Sequence, residues 1–292
     1  MKQSNNIPLG VGLMIATTLV FAAQDGISRH LASEYNVLMV VMIRYWFFAA
    51  FVIALAARYP GGIRAAAKTT QPVLQFIRGL LLAIEICVMV LAFTVLGLVE
   101  SHAVFACYPL LVAALSGPIL GEQVGWRRWV AIGVGFVGIL IILEPGFGVF
   151  DPAAIIAFAS ATMFAIYALL TRFAARRDTT ATSFFWTGVI GAVAMTAAGV
   201  WTWEPMSGSD YVWMGVLCLT GVSGHWLLIR CYEAAEASAV QPFAYLQLVF
   251  ASAIGIAAFG ETVELNVAIG AGLIVAAGLF TFWRERAQGR TG

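Results

Sequence analysis

Two stretches of this chain repeat, and each copy holds an odd number of membrane-length apolar segments. Ala16 to Ala22, followed by Ser28-Arg29, reads like Ala159 to Ala165, followed by Thr171-Arg172, 143 residues later. Ala92-Phe93 through Gly121-Glu122 lies without a gap over Cys231-Tyr232 through Gly260-Glu261, 139 residues later. Two blocks at nearly one offset mark a duplication. An odd number of crossings per copy turns the second copy over in the bilayer, a construction that places a solute site between the halves. We therefore divide the chain at 1–148 and 149–292.

Composition sets the solvent. The chain is 61% hydrophobic and 11% charged, with a mean hydropathy of +0.91. A span needs about 20 apolar residues, so 292 residues hold roughly ten spans and short loops, with no room for a soluble domain. Boundaries at charges, Gly and Pro predict spans near 7–31, 36–57, 73–96, 98–120 and 127–144, then 152–175, 180–203, 209–232, 236–260 and 264–284. The expected fold is an all-α integral membrane protein, ten transmembrane helices forming two inverted five-helix repeats around a central cavity. Cys87, Cys107, Cys218 and Cys231 all lie in apolar segments, without a metal-type spacing. The first apolar run is too long for a cleaved leader and reads as a retained span.

Basic residues orient the chain. With a cytoplasmic N-terminus, 13 Lys and Arg fall in inner segments and Arg29 alone in an outer loop. That bias predicts both termini inside, in the bacterial inner membrane. It also puts Glu122 at the inner end of span 4 and its equivalent Glu261 at the outer end of span 9, as an inverted repeat requires.

Two five-span halves, each with Gly-Glu closing its fourth span and a Gly-rich fifth span, resemble the drug/metabolite transporter superfamily in its EamA-like branch. Tyr108-Pro109-Leu110 and the series Gly133, Gly135, Gly138 fit the same pattern, and the resemblance runs over roughly residues 10 to 284. It implies carriage of a small solute. Members of that branch move amino acids, riboflavin, S-adenosylmethionine, nucleosides and other metabolites, and their general habit points to export. In the superfamily the fifth spans serve packing or dimer contact, which leaves room for a homodimer and leaves the cavity to the other eight spans.

An ionisable group at the bilayer centre costs about 2.5 to 3.5 kcal/mol on insertion scales, so each needs a partner, an aqueous cavity or a function. The expected solute-binding set is Asp25, Arg44, Arg78, Glu85, Tyr108, His225, Gln241 and Tyr245. Asp25 is either paired with Arg29 at the outer interface or a cavity acid for an amine or a proton. Arg44 is too deep to snorkel and has Asp25 as its expected partner. Glu85 and Arg78 share a helix face about 10 Å apart at 1.5 Å per residue, a gap for a zwitterion, a water chain or a third group; a purely structural Glu85 is the alternative. His225 follows Gly221 and Gly224, which admit a close neighbour, and is a core histidine or a proton carrier. Pro109 and Pro242 interrupt the fourth span of each half, beside Tyr108, Gln241 and Tyr245. Trp201, Trp203 and Trp213 read as an interfacial belt. Gly12, Gly133, Gly138, Gly270, Gly272 and Gly278 are expected at tight helix contacts.

Charges of both signs favour a zwitterionic or anionic metabolite carried by alternating access, with amino acids first and riboflavin or a nucleoside second. The expected partners are a small-molecule substrate and membrane lipid. No cofactor, metal or nucleic acid is expected, since no phosphate loop, HExxH, nucleophile elbow or basic patch is present. An intramembrane enzyme using Glu85 and His225 is the other class, and a channel the third; the first has no local motif.

Overall fold

The computed structural model describes residues 6–58, 60–121, 126–143, 152–235, 240 and 243–288. Within them the chain is helical, as lipid requires of a backbone that must satisfy its own N–H and C=O groups. The helices are α1 (Ile7–Glu34), α2 (Val37–Ala57), the short α3 (Gly62–Ala67), α4 (Pro72–Leu96), α5 (Leu98–Phe105), α6 (Tyr108–Leu120) and α7 (Trp126–Leu143). The second half adds α8 (Pro152–Ala174), α9 (Thr180–Gly199), α10 (Gly208–Ala234), α11 (Leu246–Phe259) and α12 (Leu265–Gln288). Among the described residues seven helical stretches are long and apolar enough to cross a membrane, with α5 and α6 forming one of them. Shorter apolar helices stand where spans 5, 9 and 10 were expected: Trp129–Ile142, Leu246–Phe259 and Leu265–Ala277.

Local chemistry sets the ends. Asn6 Oδ1 accepts from Leu9 N (3.2 Å) and Asn36 Oδ1 from Leu38 N (2.9 Å), capping α1 and α2. Gly121 and Gly260, at equivalent positions in the repeat, close α6 and α11 with φ of 77° and 66°, a left-handed conformation costly for any side chain. Span 4 breaks at Ala106-Cys107, just before Pro109, where the ring removes a helical donor. Pro242 lies outside the described residues.

The packing repeats with the sequence. Helix α1 packs against α10 and α11, and its equivalent α8 packs against α4 and α6; α2 packs on its own equivalent α9, and α7 on α12. Each group of three is tied by a polar strap. At one end Tyr35, after α1, donates to Asp210 Oδ2 at the start of α10 (2.8 Å). At the equivalent place Asp178, after α8, accepts from Thr69 Oγ1 just before α4 and from Gln75 Nε2 within it (2.8 Å). Helices α7 and α12 meet at Gly138 and Gly270, where a Cβ on Gly138 would lie 2.7 Å from the Gly270 carbonyl oxygen. Gly12, Gly133 and Gly272 have open space instead, so they are not contact points, and the side-chain surroundings of Gly278 are outside the described set. Trp201, Trp203 and Trp213 are exposed, and Arg230 pairs with Glu233 at the surface.

Candidate functional site

A polar cavity of about 40 Å³ lies between the two groups of three helices, with room for only a few waters. Helix α1 supplies Phe21, Gln24 and Asp25, α2 Arg44, α4 Glu85 and Phe93, α5 Phe105, α8 Phe164, α10 His225 and α11 Gln247. Phe21 and Phe164 are equivalent residues of the repeat, so the two copies present the same ring to one space. A larger hollow, about 320 Å³ between α1, α10 and α11, is walled by Ile27, Trp213, Ile254 and Phe259, with His30 among its lining. Its walls are too apolar to recognise a charged solute, and His30 is engaged by Asp210 (3.3 Å). The small cavity is where charged and polar groups converge.

Four of the expected site residues meet there: Asp25, Arg44, Glu85 and His225. Their partners differ from those expected. Asp25 Oδ2 accepts from Gln247 Nε2 (3.1 Å) and stands 3.3 Å from His102 Nε2. Arg29 instead pairs with Glu261. The Arg44 guanidinium, 3% exposed, faces His225 Nε2 at 3.2 Å. Gly221 makes room for it, since a Cβ there would lie 2.7 Å from Arg44 Nε, and at Gly224 a Cβ would lie 2.5 Å from the Phe21 ring. Glu85 Oε1 accepts from Ser160 Oγ at 2.7 Å. Gln24 Oε1 and His225 Nδ1 are buried without a hydrogen-bond partner, polar atoms held ready in the wall.

Arg78 is placed elsewhere. It is fully buried and donates to Gln75 Oε1 (2.8 Å), Tyr167 OH and Thr171 Oγ1 (both 3.3 Å) and the Ser183 carbonyl. These bonds join α4 to α8 and α9, and Arg78 is not among the residues lining the cavity. Tyr108 and Tyr245 line an adjoining crevice with His102 and Gln247 rather than the cavity itself. Gln241 lies outside the described residues. Sequence reasoning passed over His102, which sits 139 residues before Gln241; the internal repeat carried the signal that equates the two. Gln247 is likewise the equivalent of Tyr108.

One end of the cavity is closed by Glu261. Its carboxylate accepts from Leu98 N (2.9 Å) and Val99 N (2.8 Å), the first amides of α5, while Arg29 pairs with it from α1. Gly97, at φ 86°, brings the chain so close that a Cβ would sit 2.7 Å from Glu261 Oε1. The carboxylate thus occupies a helix N-terminus, where bare amides and the helix dipole favour a negative charge, and ties α1 and α11 to α5.

Residues 8–144 and 151–283 match the EamA-like transporter family. The chain belongs to that family. Like other EamA-like proteins it is a multi-pass membrane transporter built of two repeats, and the two matched ranges divide it between residues 144 and 151. An S-adenosylmethionine uptake transporter of Rickettsia felis (strain ATCC VR-1525 / URRWXCal2) is 25% identical over 95% of this chain and 93% of its own. A riboflavin transporter of Vibrio cholerae serotype O1 (strain ATCC 39315 / El Tor Inaba N16961) is 26% identical over 95% and 94%. A solved crystal structure superposes with a TM-score of 0.67 at 17% identity, covering 94% of this chain and 97% of that one, which supports the fold alone.

Proposed function

We propose that this EamA-like transporter takes up S-adenosylmethionine, or a metabolite of the same chemistry, across the bacterial inner membrane by alternating access, with both termini cytoplasmic. The observation that carries the reading is the composition of the cavity wall. It joins two carboxylates, Asp25 and Glu85, and one guanidinium, Arg44, to the rings of Phe21, Phe93, Phe105 and Phe164. S-adenosylmethionine has a matching part for each: a sulfonium and an ammonium for the carboxylates, a carboxylate for Arg44 and an adenine for the rings. Its net charge of +1 offsets the single negative charge left when the histidines are neutral.

The other solutes match half of this wall. A free amino acid, the solute first expected from the sequence, leaves the four rings without an occupant. Riboflavin fills the rings and leaves buried charges unanswered, which disfavours a neutral solute because an unpaired buried charge is costly. None of the relatives named above is an amino-acid exporter, and the S-adenosylmethionine relative is an uptake protein.

The cavity is far smaller than the several hundred Å³ typical of a metabolite site. Binding therefore requires the two groups of three helices to separate, which the Glu261 bridge opposes at one end. At another point Arg172 Nη1 of α8 donates to the Tyr232 carbonyl of α10 (3.2 Å), holding the same two groups together. Such a contracted carrier, occluded between strokes, is the expected intermediate of rocking repeats.

Purified protein in liposomes loaded with unlabelled S-adenosylmethionine tests the assignment. External labelled S-adenosylmethionine should accumulate transiently above equilibrium, with unlabelled riboflavin and amino acids outside leaving the overshoot intact. An overshoot with riboflavin or an amino acid and none with S-adenosylmethionine would replace the substrate assignment.

A further inference from the structure

We propose that Asp25 and His102 form a proton-binding site within the cavity, occupied in turn by a proton and by the cationic group of the solute, so that binding one solute releases one proton. This rests on the carrier reading above and adds a coupling ion to it.

The two histidines near the cavity are held in different ways. His225 Nε2 faces the Arg44 guanidinium at 3.2 Å. Arginine can only donate, so that nitrogen is an acceptor and His225 is fixed neutral. His102 has the opposite neighbour. Its Nε2 is 3.3 Å from Asp25 Oδ2, out of line for a hydrogen bond, and has no other hydrogen-bond partner. The ring is 1% exposed, stacked on Phe93 (centroids 5.3 Å, 28°) and edge-on to Phe105 (6.1 Å, 82°), which fixes its aim toward the carboxylate.

Every charged or titratable group facing the pair enters the balance. Besides Asp25 of α1, Arg44 comes from α2, Glu85 from α4, His225 from α10, and Tyr108 and Tyr245 from α6 and α11. Helices α7 and α12 bring no titratable group among their described side chains. With both tyrosines and His225 neutral, Asp25, Glu85 and Arg44 leave one negative charge in a space enclosed by lipid-embedded helices, an unfavourable state. One proton on His102 Nε2 cancels it. Glu85 already has Ser160 as a donor to its carboxylate, whereas the buried nitrogen aimed at Asp25 has none. When a cationic solute reaches Asp25, it supplies the balancing charge; the N–H bond of the imidazolium then breaks and its proton passes to water on the open side.

The test uses purified full-length protein in nanodiscs with S-adenosylmethionine as the probe and a pH indicator in weakly buffered solution. Wild type should release about one proton per solute bound, and below the titration of the site its affinity should fall about tenfold per pH unit. In His102→Gln, whatever its affinity, the release and the pH dependence should both vanish. Stoichiometric binding with no proton released, or the same release from His102→Gln, overturns the proposal. If S-adenosylmethionine does not bind at all, the substrate assignment fails and the coupling site is read without it. Infrared difference spectra between pH 8 and pH 5 of the His30→Gln protein should then contain an imidazole protonation signal that His102→Gln removes. Absence of that signal also overturns the proposal.

Discussion

Arg44 Nη2 lies 3.2 Å from His225 Nε2, so a buried guanidinium faces an imidazole where a carboxylate was expected. No described acid lies within ion-pair distance of it. Its charge is balanced across the cavity by Asp25 and Glu85 rather than by contact, which leaves the planar fork free for an incoming carboxylate. Hydrogen bonds to charged groups contribute about 1.5 to 3 kcal/mol, so Arg44→Ala should weaken S-adenosylmethionine binding about 10- to 100-fold. Arg44→Lys, which keeps the charge and loses the fork, should recover part of the loss. Equal affinities for both variants and wild type, by equilibrium binding in nanodiscs, would remove Arg44 from the site.

Glu85 has a donor in Ser160 that a glutamine side-chain oxygen can accept equally well. Glu85→Gln should therefore fold normally while losing one negative charge from the cavity. Binding of S-adenosylmethionine should fall about tenfold, consistent with one charge-assisted contact, and the thioether analogue lacking the sulfonium charge should be much less affected. A competition series comparing the two ligands reads this directly, and an equal loss for both would argue against an electrostatic role.

The Glu261 bridge makes a prediction about access. With the native cysteines replaced, a cysteine at Gln24 should react slowly with a membrane-impermeant thiol reagent from the side that Glu261 closes. Glu261→Gln leaves Arg29 without its carboxylate and weakens the hold on Leu98 N and Val99 N. Labelling should then accelerate several-fold, and an unchanged rate would show that the bridge does not control entry.

Arg78 should behave as a structural residue. Truncation to alanine leaves Gln75 Oε1 and the Ser183 carbonyl without their donor in a fully buried place, at about 1 to 3 kcal/mol for each group. Arg78→Ala should lower the melting temperature in detergent more than Arg44→Ala does. Arg78→Lys should be intermediate and retain the wild-type order of substrate preference. A variant as stable as wild type but altered in preference would return Arg78 to the site.

Much of the fold was legible because lipid is an unforgiving solvent. A charged or turn-forming residue between apolar runs has almost nowhere to go but the interface, so the predicted spans 36–57 and 73–96 fall within a residue of Val37–Ala57 and Pro72–Leu96. The same logic brought Asp25, Arg44, Glu85 and His225 together, since polar groups in such spans turn from lipid toward each other. It could not separate Arg78 from them. Avoiding lipid is common to a cavity group and a joint between helices, and only the positions of Tyr167, Thr171 and Ser183 distinguish the two. Partner choice was equally hidden. Asp25 has Arg29 one turn away on its own helix, yet Glu261, distant in sequence, takes the arginine because α5 amides fix that carboxylate beside it. His102 escaped notice because it sits near the start of a span, where a histidine reads as interfacial; the turn at Gly97 and the break at Ala106-Cys107 place it in the interior.

A cryo-electron microscopy structure of the full chain in a lipid nanodisc with saturating S-adenosylmethionine tests the central claim most directly. The account predicts a widened cavity with ligand density in hydrogen-bonding contact with Arg44 and at least one of Asp25 and Glu85, its adenine against Phe21 or Phe164. Density confined to the hollow lined by Trp213 and Phe259, with Asp25, Arg44 and Glu85 still closed on one another, would contradict it.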